Sequence, residues 1–362
     1  MPSIDGTILT AAGWRRGRLN HERLIRSVEG TPTGLPEPPF VIPGFVDLHV
    51  HGGGGADVMA GADAIRTTLR THARHGTTSL LATTVTAPVE EIDDVLAAAA
   101  MVEARRESGE AALLGVHLEG PFLNPDKLGA QPPYARPAEP ALLERWCATN
   151  LVRVMTLAPE VDVEGALRTI LNAHGARAQL GHTLCRHDEA RTALEAGMGV
   201  THLFNAMTAL DHRAPGAAGA ALAFAEWAEV IPDLIHVEAT AIHAARRAIP
   251  KLYGITDATA GAGMPDGAYP LGRYTAHKAK GAMRLEDGTL AGSALTMDQA
   301  LRNLVAIGLA LDDAATRLST LPAQWLGLGD RGWIAPAMRA DLVILDDALQ
   351  VRRVLVAGED VR

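Results

Sequence analysis

The strongest constraint on the fold of this chain is a regular alternation of short apolar segments with helical segments, which starts near residue 43. Helical patterns separate the apolar segments; one of them opens at Pro88 and places Ile92 and Leu96 on a single face. Strands that alternate with helices pair in parallel through right-handed crossovers, and eight such units predict a closed (β/α)₈ barrel. The eight predicted strands are 44–50, 77–84, 112–119, 151–158, 176–182, 199–204, 233–239 and 252–258.

The two ends of the chain do not follow this alternation. Residues 1–42 contain a Pro- and Gly-rich approach, and residues 323–362 have the pattern of short strands joined by turns. We therefore predict an α/β protein with a TIM-like barrel over residues 43–322 and a small β-sandwich domain built from both termini.

Composition excludes several classes of protein. The 362 residues are 48% hydrophobic and 21% charged, as in a globular protein, and the net charge of -9 gives no basic footprint for nucleic acid or a membrane surface. The amino terminus lacks the apolar core of a signal peptide, and Cys147 and Cys185 stand in no metal or redox spacing. These features predict a soluble cytoplasmic protein.

Polar side chains close several of the predicted strands. Side chains alternate along a strand, so two histidines one residue apart project to the same face. The active site of a barrel of this kind lies at the carboxyl ends of its strands, so residues at these ends converge on one rim. The converging residues are His49, His51, Glu119, His182, His202 and Asp257.

These residue types favour a metal site. Imidazole nitrogens and carboxylate oxygens bind zinc and other divalent first-row ions, and Glu119 can bridge if two ions bind. Such an ion lowers the pKa of a bound water, and Asp257 can then pass a proton to a leaving amine. A lone strand histidine is more often a hydrogen-bonded core residue; the convergence of separate strand ends favours ligands. For His117, one layer below Glu119, we expect a supporting or packing role.

Four consecutive glycines follow the first predicted strand, at 52–55. They lack the lysine of a phosphate-binding loop and the spacing of a dinucleotide fingerprint. We therefore expect a loop whose backbone comes close to its neighbours beside the metal site.

Several motifs occur in an order that identifies a family. "PGFVDLHVHG", "HLEGPFL", "GHT", "THLFNAM", "ITDA" and "GTLAGSALTM" follow one another from about residue 41 to the end of the chain. The chain in this respect resembles the N-acetylglucosamine-6-phosphate deacetylases of the amidohydrolase superfamily. The resemblance implies hydrolysis of N-acetylglucosamine 6-phosphate to glucosamine 6-phosphate and acetate.

The resemblance also implies roles for the rim residues. Glu119, His182 and His202 match the metal ligands of the family, and Asp257 matches its catalytic acid and base. His49 and His51 match a second ligand pair that some members lack. The resemblance thus implies that the site binds one or two divalent ions. Zn²⁺ is the ion that we expect, and Fe²⁺, Co²⁺ and Mn²⁺ are compatible with the same ligands.

Other matching positions imply contacts with the sugar phosphate. Arg213 matches a phosphate-binding arginine that reaches the neighbouring subunit's site, which implies a homodimer. Many members have histidine where this chain has Gln131, which can hydrogen-bond a sugar hydroxyl but carries no charge. The remaining implied substrate contacts are Asn205, Ala206, His236, Leu290, Ala291 and Gly292.

Two alternatives remain open. The substrate can be the galacto epimer, N-acetylgalactosamine 6-phosphate, or the chain can be another amidohydrolase, such as one that opens a cyclic amide. A metal-free structural relative belongs to a different class, and the retention of every ligand position argues against it.

Overall fold

The computed structural model describes residues 1–361, and its first four strands lie outside the barrel. β1 pairs antiparallel with β2, β2 pairs antiparallel with β3, and β1 pairs in parallel with β4. These strands are β1 (Ser3–Thr10), β2 (Gly13–His21), β3 (Ile25–Pro32) and β4 (Phe40–Pro43).

Eight parallel strands then form a nearly closed barrel, which confirms the predicted fold class. Every residue of its first two strands is buried, because core side chains cover one face and helices the other. Beginning with the first barrel strand and including the short hairpin β6–β7 that follows it, the strands are β5 (Phe45–Val50), β6 (Gly52–Gly53), β7 (Ala56–Asp57), β8 (Thr77–Thr84), β9 (Ala112–Glu119), β10 (Val152–Leu157), β11 (Arg177–Leu180), β12 (Gly199–Val200), β13 (Trp227–Val230) and β14 (Lys251–Gly254).

The barrel closes between the segments that follow its first and last strands. The backbone N–H groups of His51 and Gly52 donate to the carbonyl of Ala258 at 2.8 and 2.9 Å, and the N–H of Asp257 donates to the carbonyl of His49 at 2.9 Å. Two site residues are therefore joined by the same backbone bonds that complete the barrel.

Helices cover the outside of the barrel. In the second helix Ile92 and Leu96, which were predicted to share a face, are buried together with Val95 and Ala99. The helices are α1 (Ala62–Arg74), α2 (Val89–Glu103), α3 (Pro140–Cys147), α4 (Ala166–Ala173), α5 (His187–Glu195), α6 (Gly216–Phe224), α7 (Ala239–Ala248), α8 (Met297–Ala306), α9 (Leu311–Leu318) and α10 (Thr320–Trp325).

The predicted seventh strand, at 233–239, is wrong: the seventh barrel strand is β13, which ends at Val230. The carboxylate of Asp233 accepts the backbone N–H groups of Ile235 and His236 at 2.9 and 2.8 Å, so the chain turns here instead of extending. The apolar pattern of 234–237 belongs to a loop that leads into α7.

A four-stranded antiparallel sheet that the sequence analysis missed follows β14. Its last strand contacts the barrel, because the N–H of Ser293 donates to the carbonyl of Asp257 at 2.7 Å. The sheet therefore lies against the carboxyl end of the barrel, next to Asp257. Its strands are β15 (Gly267–Leu271), β16 (Tyr274–Ala279), β17 (Ala282–Arg284) and β18 (Leu290–Ser293).

Both chain ends meet in one seven-stranded sheet. The final strands are β19 (Leu342–Leu345), β20 (Val351–Val356) and β21 (Glu359–Asp360), and the order across the sheet is β21-β20-β19-β4-β1-β2-β3. Ile8, Leu19, Val41 and Leu342 pack in a core separate from that of the barrel. Within residues 1–361, none of the helices combines the length and apolar character needed to cross a bilayer.

Candidate active site

The six rim residues predicted from the strand ends meet at the carboxyl end of the barrel. They are all buried, from His49 with no exposed surface to Asp257, which is 8% exposed. His182, His202 and Asp257 each follow a strand in a backbone conformation of positive φ, at 48°, 27° and 51°. Such a conformation is unfavourable for residues other than glycine, and it turns these side chains into the rim.

One cluster consists of Glu119, His182 and His202. Oε1 of Glu119 lies 3.1 Å from Nε2 of His182 and 2.9 Å from Nε2 of His202, and the two imidazole nitrogens are 3.1 Å apart. These three ligand atoms are close enough to hold one ion.

A second cluster shares Glu119 with His49 and His51. Nε2 of His51 lies 3.3 Å from Oε2 of Glu119, Nε2 of His49 lies 3.4 Å from Oε1, and the two imidazole nitrogens are 3.2 Å apart. The carboxylate of Asp257 is 3.2 Å from His51 and 3.5 Å from His49. Glu119 therefore stands between two groups of ligand atoms, with Asp257 beside the second group.

The hydrogen bonds on the far side of the rings test whether these clusters fit a metal ion. Nδ1 of His51 and Nδ1 of His182 lie 3.0 and 3.1 Å from the carbonyls of Thr83 and Lys127. A carbonyl only accepts, so each Nδ1 carries the proton and each neutral ring directs the lone pair of Nε2 at its neighbours. Facing lone pairs and carboxylate oxygens need a cation between them, so the residues present fit a divalent metal.

Protons compete with a metal ion for the imidazole nitrogens and carboxylate oxygens of the two clusters. Burial disfavours a charged ring, but hydrogen bonds to Asp257 and Glu119 outweigh burial and raise the pKa of His51 to about 9. For Glu119, burial again opposes charge, but the neighbouring charges on His49 and His182 hold the pKa of the carboxyl well below its ordinary value. Opposite charges thus hold the ligand atoms together, and a bound ion would replace the ring protons.

Gln131 makes a contact that the resemblance did not imply. Its amide oxygen accepts the N–H and the hydroxyl of Thr86 at 2.6 and 2.7 Å, so its NH₂ group must face the other way, where it donates to Oε2 of Glu119. One N–H of the amide therefore orients the shared carboxylate, and the second N–H is free to meet a ligand in the cavity.

The glycine loop comes close to its neighbours, as expected. A Cβ on Gly52 would lie 2.3 Å from the carbonyl oxygen of Ala56, and a Cβ on Gly53 would lie 2.8 Å from the ring of His72. A side chain at Gly52 would therefore separate β6 from β7, and a side chain at Gly53 would push the hairpin away from α1.

A cavity of about 410 Å³ opens above the two clusters. Five of the predicted substrate residues, besides Gln131, line it: Asn205, Ala206, His236, Leu290 and Gly292. Two do not. Ala291 is buried against Val85 and Met283, and Arg213 lies in an exposed loop outside the cavity.

Sequence reasoning missed three charged residues at the site, namely Asp126, Lys127 and Glu229. Lys127, which lines the cavity, lies on a single 3₁₀ turn three residues beyond Asn124, in the loop after β9. Oε2 of Glu229 lies 3.2 Å from Nδ1 of His49. Glu229 was missed because the strand that carries it was predicted at the wrong position. Lys127 could have been found from its position in the "DKLGA" segment, which directly follows the Glu119 motif in the sequence. Glu229 could be found only after β13 had been predicted correctly.

A barrel that gathers histidines, a shared glutamate and an aspartate at its carboxyl rim has the architecture of a metal-dependent hydrolase. The model of the amidohydrolase family matches residues 40–361, and the chain belongs to this family.

Individual relatives narrow the comparison. The N-acetylgalactosamine-6-phosphate deacetylase of Escherichia coli O157:H7 is 38% identical over 97% of each chain. The N-acetylglucosamine-6-phosphate deacetylase of Bacillus subtilis (strain 168) is 37% identical over 89% of this chain and 85% of its own. A solved variant of the Mycobacterium smegmatis N-acetylglucosamine-6-phosphate deacetylase, in complex with N-acetyl-D-glucosamine-6-phosphate, aligns with a TM-score of 0.89 at 36% identity, over 99% of this chain and 98% of that one.

The two clusters predict the metal content of the protein. After removal of metal and reloading with Zn²⁺, we expect about two ions per chain and about one after His182→Ala or His51→Ala, because each substitution removes a ligand from one cluster. Elemental analysis of the dialysed proteins measures this count. His236→Ala, in the same cavity but in neither cluster, should keep the wild-type count; an equal loss in all three variants would contradict the assignment.

Proposed function

We propose that this protein hydrolyses the acetamide of N-acetylglucosamine 6-phosphate to give glucosamine 6-phosphate and acetate. The observation that carries the proposal is the position of Asp257, whose carboxylate faces His49 and His51 at the floor of the cavity. Relatives 35–38% identical over most of the chain, all named as deacetylases of an N-acetyl amino-sugar 6-phosphate, support the substrate class.

The protein's residues would hold one or two divalent ions through Glu119, His182 and His202, and through His49 and His51. When bound, such an ion polarises a carbonyl and makes water more acidic, which supplies a nucleophile near neutral pH. The imidazoles and Glu119 keep these ligand atoms buried and fixed, with no exposed fraction above 5%. Their role is to hold the ligand geometry at the cavity floor and to exclude bulk water from it.

Asp257 moves the proton in this proposal. When His49 and His51 are protonated, burial favours the neutral acid, but the charge of His49 and the hydrogen bond from His51 outweigh burial and lower the pKa of Asp257 below its ordinary value. A bound ion in place of these ring protons would favour the ionised carboxylate by the same attraction of opposite charges. The ionised carboxylate accepts a proton from the attacking water and returns it to the amide nitrogen as the C–N bond breaks. An amine leaves poorly unless it is protonated, so both transfers are required.

The substitution Asp257→Asn tests this role. The amide keeps the size of the carboxylate but cannot accept the proton, so we expect kcat to fall by about 100-fold or more while bound metal stays at the wild-type level. Initial rates of acetate release and elemental analysis of the same sample give both values. Near-normal turnover with full metal content would rule out Asp257 as the acid and base.

A second substrate is favoured by one specific observation. The relative that aligns over 97% of both chains is named as an N-acetylgalactosamine-6-phosphate deacetylase. The two sugars differ only in the orientation of one hydroxyl. Gln131 offers its free amide N–H to the cavity that the sugar would enter.

Parallel assays on the two epimers decide between these substrates. We expect kcat/KM for acetate release to be higher with N-acetylglucosamine 6-phosphate than with N-acetylgalactosamine 6-phosphate. N-acetylglucosamine without phosphate is the control for the anion and should react more slowly. A reversed order for the phosphorylated pair would replace the gluco substrate by the galacto epimer, and no acetate from either sugar would refute the proposal.

We also propose that the protein acts as a homodimer in which Arg213 reaches the neighbouring site. Asp211 accepts the backbone N–H of Arg213 at 2.8 Å, so the loop has a defined turn although its side chains are exposed. Leu210 nearby is 56% exposed. An exposed apolar side chain beside an arginine is suited to contact with a second copy, and a guanidinium fork suits phosphate.

Mixing equal amounts of two impaired variants tests this arrangement. Arg213→Ala should raise KM for the phosphorylated sugar, and Asp257→Asn should abolish turnover. After subunit exchange, a mixed dimer contains one site with Asp257 and a donated Arg213, so activity at low substrate should return to about one quarter of wild type. No recovery, with exchange confirmed by a mass tag, would show that Arg213 does not act across the interface.

A further inference from the structure

Glu229 is a buried acid of the barrel to which the proposed reaction assigns no step. It lies on β13 with no exposed surface. A buried carboxylate is unfavourable unless donors surround it, so its partners indicate why it is there.

Four donors from four segments surround this carboxylate. Oε2 lies 3.2 Å from Nδ1 of His49 and accepts the backbone N–H of His202 at 3.3 Å. Oε1 accepts the side-chain amide of Gln179 at 3.0 Å. The hydroxyl of Tyr253 lies 3.3 Å from the same oxygen and 2.9 Å from the amide oxygen of Gln179, so these two acceptors share its one proton.

The orientation of Gln179 is also determined. Its amide oxygen accepts the indole N–H of Trp325 at 2.7 Å. An indole nitrogen only donates, so the NH₂ group of Gln179 must point at Glu229. The carboxylate thus faces donors alone.

We propose that Glu229 is a positioning residue that keeps the proton of His49 on Nδ1 and so turns the lone pair of Nε2 toward Glu119 and Asp257, where an ion would bind. The same carboxylate holds the backbone of His202, a member of the other cluster. Glu229 therefore sets the orientation of one ligand and the backbone position of another without binding the ion. This inference rests on the metal-binding part of the proposed function.

A direct ligand role for Glu229, together with His49 and His117, fits the structure less well, although their ligand atoms are close together. Nδ1 of His117 lies 3.1 Å from the carbonyl of Leu48 and therefore carries a proton. Nε2 of His117 lies 2.8 Å from the hydroxyl of Thr156, which can donate to it. Both nitrogens of His117 are occupied, so this group is a hydrogen-bonded support.

Metal affinity of Glu229→Gln tests the proposal without any substrate. An amide has one acceptor oxygen and cannot receive all four donors, so we expect the Zn²⁺ bound by His49 and His51 to be held about 10–100-fold more weakly, measured by competition with a chelator. The ion bound by His182 and His202 should change less. Glu110→Gln is the matched control: Glu110 is equally buried but pairs with Arg66 and Arg70.

A measurement on the wild-type protein covers the case in which Glu229→Gln does not fold. ¹⁵N-histidine spectra of the Zn²⁺-loaded protein, with His49 assigned through His49→Gln, should show the proton of this ring on Nδ1. A proton on Nε2, no ion bound through His49, or unchanged affinity in a folded Glu229→Gln would each overturn the proposal. Acetate release that persists in these cases would leave the proposed reaction standing, so the two failures are distinguishable.

Discussion

The arrangement of the site depends on one buried carboxylate that four imidazoles share. Glu119 lies 2.9–3.4 Å from His49, His51, His182 and His202, which come from three separate strand ends. An isolated charge in this position would be strongly unfavourable, so the carboxylate requires either charged rings or metal ions around it. The barrel brings these side chains together, because its parallel strands end at the same level and place the residues at their ends around one point.

The hydrogen bonds that close the barrel also position Asp257. The backbone bond from Asp257 to His49 and the hydroxyl bond from Thr256 to Asp47, at 2.6 Å, join the segment after β14 to β5. Asp257 has a positive φ, and its carbonyl accepts the N–H of Ser293. A Cβ on Gly292 would lie 2.8 Å from this carbonyl, so a glycine is needed where the added sheet meets the acid.

Much of this could be predicted from sequence because strand ends carry their polar residues with them. His49, His51 and Glu119 lie at or next to the ends of β5 and β9, whose predicted ends agree with the structure. The predicted eighth strand extended too far, because Asp257 lies three residues beyond the end of β14, but the order of the strands still placed Asp257 on the same rim. Glu229 was missed because the apolar residues that follow Asp233 suggested a strand, whereas Asp233 begins a turn there. The true strand, β13, has only four residues and gives a weak pattern in the sequence. The contact between Gln131 and Glu119 depends on a loop conformation that no local pattern encodes.

The two clusters are coupled through the carboxylates that they share, although each has its own pair of imidazoles. Oε1 of Glu119 faces His182, His202 and His49, whereas Oε2 faces His51. Glu229 holds the ring of His49 and the backbone of His202, so both acids connect the clusters. Substitutions of residues in one such network are expected to be non-additive, because loss of a ligand on one side changes the charge and orientation of the shared carboxylate on the other. Gln131 adds a third connection through Oε2 of Glu119. The geometry of this centre is therefore a property of the connected carboxylates, and each histidine acts within the orientation that they impose.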